Sequence, residues 1–148
     1  MKAKNSFWTL LFNGTVLAYI LLFTYAATSK IIDFENFQVQ LAQSPMLSAF
    51  STLLSFAVPA AEFLTIMLLI IPRLQLAGMF LAFTVMVMFT AYIYIILNYS
   101  SFVPCSCGGV LEKMTWGQHL VFNLCFAAAG AAAIIIAPIR EYPPLKNH

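Results

Sequence analysis

The stretch 74-LQLAGMFLAFTVMVMFTAYIYIIL-97 decides the fold, because it outruns a bilayer core without one charged side chain. A helix of about 24 residues is about 36 Å long, and a span needs about 20 apolar residues. The stretches 7–28, 48–71 and 117–138 read the same way, and Glu62 is the one acid or base in them besides His119. Of the 148 residues, 62% are hydrophobic and 8% charged, against about 25% charged in a soluble domain. A soluble protein can bury one such helix, but four in a chain this short leave nothing amphipathic to cover them. The sequence therefore predicts a single all-α domain over 1–148, an integral membrane four-helix bundle in a lipid bilayer. No nucleic-acid partner is expected.

Short segments join the runs. Pro72 and Arg73 separate the second and third, which makes them antiparallel neighbours. Between the first and second, Phe34, Phe37 and Leu41 recur at helical spacing, with Asp33, Glu35, Gln38 and Gln40 elsewhere. That pattern predicts a short amphipathic helix on the outer membrane surface, ended before Pro45. The first run exceeds a signal-peptide core of about 7–15 residues and is read as a retained span.

Charge placement predicts orientation. Lys2, Lys4, Arg73, Arg140 and Lys146 fall on the side of the termini, and only Lys30 and Lys113 on the other. The positive-inside rule puts both termini in the cytoplasm. For a cell inner membrane, the loop before the fourth span then faces the periplasm or the cell exterior, where disulfides form. Lys30 is expected to snorkel outward from the end of the first span.

That loop carries 104-PCSCGGVLEKMTWGQH-119. A metal site needs three or four ligands, and only His119 stands near Cys105 and Cys107, so no metal is predicted. A disulfide across one intervening residue closes too small a loop to stabilise much and fits unstrained geometry poorly. Strained, exposed disulfides are the labile ones. The pair therefore leans toward thiol–disulfide exchange, with a static bridge or two reduced thiols as the alternatives. Thr115 is a reasonable N-cap for the fourth helix, which puts His119 in its first turn as a candidate proton shuttle. Trp116, His119, Asn123 and Gly130 share one face of that helix, predicted to look into the bundle, and Cys125 lies away from it.

Glu62, in 58-VPAAEFLTIMLLIIPR-73, stands mid-span. An acid at that depth is a functional candidate by default. Arg73 is too far along the helix to pair with it, and Asn13 and Thr15 of the first span are candidate partners by depth. Two readings remain: an intramembrane acid moving protons with electron flow, or a protonated acid holding helices together.

Taken together, 29-SKIIDF-34, 59-PAAE-62 and 105-CSCGG-109 followed by Trp116, His119 and Asn123 resemble MauE/DoxX-type membrane proteins, most closely the MauE (methylamine utilisation) branch. The resemblance spans nearly the whole chain. It implies a role in forming or maintaining disulfides in an exported partner, in that branch the disulfide-rich small subunit of methylamine dehydrogenase. By motif, Cys105 and Cys107 would be its redox pair, making the chain a candidate thiol–disulfide oxidoreductase that exchanges with the exported protein or a thioredoxin-like protein. The layout is also similar to DsbB and vitamin K epoxide reductase, which use a quinone with C-x-x-C. The C-x-C spacing here departs from that pattern and leaves a quinone only as a candidate acceptor. The competing classes are a non-catalytic assembly or chaperone subunit and a small-molecule transporter with Glu62 as coupling acid.

Overall fold

The computed structural model describes residues 2–100 and 114–141. Among them are five α-helices: α1 (Lys2–Ile32), α2 (Phe34–Gln43), α3 (Ser51–Ile70), α4 (Gln75–Tyr99) and α5 (Trp116–Glu141). A 3-10 turn, Ser48–Phe50, leads into α3. Four helices are long and apolar enough to cross a membrane, with apolar stretches Phe7–Ile32, Ser48–Ile70, Gln75–Tyr99 and Trp116–Pro138. The chain is a multi-pass, all-α membrane bundle. Its first apolar helix runs on to Ile32, four residues past the predicted end at Thr28, because Lys30 does not break it.

The four long helices form a square. α1 packs on α3 and α5, α4 packs on α3 and α5, and α1 meets α4 across the diagonal. Each turns one line of residues inward. On α1 the line is Phe12, Val16, Tyr19, Phe23 and Ala27; on α3 it is Ser55, Pro59, Glu62, Ile66 and Leu69. The spacing of three and four residues is that of one helical face. Large side chains such as Leu10, Leu21, Phe56 and Met88 point outward, as a bundle solvated by lipid requires.

Little hydrophobic force draws apolar helices together within lipid, so close packing and buried hydrogen bonds hold them. Gly78 of α4 lies against the backbone of α3: a Cβ there would stand 2.9 Å from the Leu69 nitrogen. Gly130 of α5 makes room for Tyr19, whose hydroxyl donates to the Phe126 carbonyl at 2.5 Å and ties α1 to α5.

α2 lies at the end of the bundle shared by the last turn of α1 and the start of α3. Phe34 packs on Phe56 of α3, with ring centroids 5.1 Å apart, and Leu41 is buried. At its far end the Tyr92 hydroxyl of α4 donates to the buried Ser44 hydroxyl at 3.0 Å. The helix stops at Gln43, two residues before Pro45, as proline's missing N–H requires.

Candidate functional site

Glu62 is fully buried on the inward face of α3, and its partner is neither Asn13 nor Thr15. Thr15 donates to the Leu11 carbonyl of its own helix at 2.9 Å, and Asn13 lies on an exposed face. The partner is Lys30, whose Nζ stands 2.8 Å from Glu62 Oε1. Among the described residues this is the only ion pair. Lys30 therefore points into the bundle and does not snorkel outward. The physical reason is its position: Lys30 is 18 residues from Phe12, five turns of a 3.6-residue helix, on the same inward line. An unpaired acid inside a membrane is costly, and a lysine already on the facing line offsets part of that cost.

All four long helices, and α2, contribute to the surroundings of this pair. Lys30 comes from α1 and Glu62 from α3. The rings of Phe37 (α2) and Phe89 (α4) flank the ammonium at 5.8 and 5.7 Å from their centroids. Cations are attracted to ring faces at such distances, more so where water is scarce. Lys30 also donates to the Ala26 carbonyl, one turn back, at 3.2 Å. From α5, His119 lies close enough for the Lys30 charge to act on it. The Lys30 side chain keeps 20% of its surface exposed and Glu62 none, so the pair is reached past Lys30.

His119 sits in the first turn of α5. Its N–H donates to the Thr115 carbonyl at 2.9 Å, and its ring centroid is 6.2 Å from that of Trp116. Thr115 caps this helix. Its hydroxyl accepts from the Gln118 N–H at 3.3 Å, while the Gln118 side chain accepts from the Thr115 N–H at 2.9 Å. This is a reciprocal capping box, and its signature T-x-x-Q stands in the sequence at 115–118. Asn123 and Gly130 are buried below His119 and Trp116, so the face they share does look into the bundle. Cys125 is exposed and unbridged on another face, as its angular position required.

Of the sequence-predicted site residues, the structure brings Glu62 and His119 into range of one lysine. Cys105 and Cys107 lie outside the described residues. Lys30 was missed as a site residue, although its register with Phe12, Val16, Tyr19, Phe23 and Ala27 pointed to it.

A family model described as methylamine utilisation protein MauE matches residues 7–137. That is most of the chain, and the chain belongs to this family. No curated protein and no solved structure matches it.

Proposed function

We propose that this MauE-family chain is an inner-membrane thiol–disulfide exchange protein, with Cys105 and Cys107 as its reactive pair on the periplasmic side. It acts on an exported partner that carries disulfides or on a thioredoxin-like protein. Family membership supports a methylamine-utilisation context, in which the partner would be a disulfide-rich exported subunit. The observation that carries the exchange reading is the C-x-C spacing of Cys105 and Cys107, which closes too small a loop for a stabilising bridge. Strained, exposed disulfides are the labile ones, and the thiolate is the attacking species.

Each single exchange balances between the two proteins, and repeated turnover needs a second thiol–disulfide protein, such as the thioredoxin-like one, to reset the pair. A thiolate from one cysteine attacks the partner's disulfide, and one partner sulfur leaves as a thiolate and takes up a proton. The second cysteine, losing its own proton, attacks the mixed disulfide and releases the other partner sulfur. The pair ends oxidised and the partner reduced by two electrons; the reverse sequence oxidises the partner. His119 is the group proposed to carry the proton between thiol and solvent, and Glu62, the carboxylate partner of Lys30 at rest, to take up a proton within the span.

A maturation assay tests this reading. The redox state of the exported partner is followed by thiol alkylation in cells carrying Cys105→Ser, Cys107→Ser or both. Each single variant is expected to stop the partner reaching its native disulfide state. A double variant that matures the partner normally would instead support a non-catalytic assembly subunit.

A further inference from the structure

Glu62 uses only half of its carboxylate. Oε1 accepts from Lys30, while Oε2 is enclosed and meets no donor among the described residues. A carboxylate is an acceptor with room for several donors, and a buried acceptor without one is expensive. Lys30 has the complementary surplus. It donates to Glu62 Oε1 and to the Ala26 carbonyl, which leaves a third N–H beside the rings of Phe37 and Phe89. An acceptor and a donor thus stand side by side within the bundle.

Three constraints define what fits between them. The charges of Lys30 and Glu62 cancel, so a neutral guest adds no net charge to a low-dielectric interior, whereas an ion would. Oε2 accepts only, so the guest must donate. Glu62 exposes no surface and Lys30 a fifth of its own, so the guest is small and arrives past Lys30. An O–H group meets all three conditions, and water bound inside a protein is normally held by two to four such polar contacts.

We infer that Glu62 Oε2 and Lys30 together hold one small neutral hydroxylic guest: a water molecule, or the hydroxyl of a lipid or small ligand. The site is independent of whether Cys105 and Cys107 exchange disulfides. It makes Lys30 a binding residue and joins the buried acid by hydrogen bonds to the α2 end of the bundle.

Water-edited solid-state NMR on the full chain in lipid bilayers tests this. Polarisation is transferred from water protons to the Glu62 side-chain carboxyl carbon, assigned by its loss in Glu62→Gln. Should that variant not fold, Lys30→Arg keeps the charge pair and assigns the signal by its shift. With water as guest, build-up at Glu62 is several-fold faster than at the core residue Leu69. With a lipid or ligand hydroxyl, transfer comes instead from carbon-bound protons of that molecule and is lost after washing into perdeuterated lipid. Build-up at Glu62 as slow as at Leu69, with no lipid-derived transfer, overturns the proposal.

Discussion

Lys30 and Glu62 form one unit, and removing one partner differs from removing both. A single Lys30→Met or Glu62→Leu change leaves an uncompensated charge buried in the bundle, which costs about 3–5 kcal/mol in comparable buried pairs. The double variant replaces the pair with apolar volume and is expected to recover most of that loss. A double-mutant cycle on unfolding in mixed micelles measures it, and additive single effects would refute the pairing. Gly130 offers a second test at this scale. A Cβ there would stand 2.5 Å from the Tyr19 hydroxyl, on a ring that cannot bend away. Gly130→Ala is expected to destabilise by about 1–3 kcal/mol, the usual cost of overpacking. Tyr19→Phe, which deletes that oxygen, should relieve much of the penalty in the double variant. The sequence made Glu62 stand out because a lone acid in an apolar run is conspicuous. Its partner was harder to read, because a lysine near a span end has two outcomes, snorkelling out or turning in. Only the neighbour across the bundle decides between them.

Among the elements, α2 is held at both ends, by Phe34 on Phe56 and by Tyr92 on Ser44. It also supplies Phe37, one of the rings beside Lys30. Tyr92→Phe removes the hydrogen bond at its far end. Amide exchange should then rise in Phe34–Gln43 while α3 and α4 keep their protection; unchanged exchange in α2 would show that this bond does not hold it. At α5, Thr115→Ala deletes the capping hydroxyl, an average loss of about 1 kcal/mol. The exchange increase is expected in the first turn around His119, not deeper in the helix. The amphipathic period of α2, the break at Pro45 and the turn at Pro72 were all legible, because each is written in residues adjacent in the chain. The approach of Gly78 to Leu69 was not, since a helical wheel gives a face but not the helix it meets.

For the whole molecule, four apolar spans follow from length and a bundle from one inward line per helix, while the square order of neighbours comes from the packing itself. Which side of the membrane the α2 end faces rests on the placement of seven basic residues. Under the positive-inside reading, green fluorescent protein fused after His148 stays fluorescent, while an alkaline phosphatase fusion at the same point is inactive. The reverse pattern would place the cysteine loop in the cytoplasm and remove the oxidising setting the exchange reading needs. That reading is tested most directly by trapping in a Cys125→Ser background, where no other cysteine competes. With Cys107→Ser also present, Cys105 can attack a partner but the mixed disulfide cannot be resolved within the chain. Non-reducing electrophoresis after acid quenching should show a reductant-sensitive adduct between this chain and an exported protein, absent when Cys105 is replaced as well. If neither single-cysteine variant forms such an adduct, and both still support normal disulfide formation in the partner, the exchange role is contradicted.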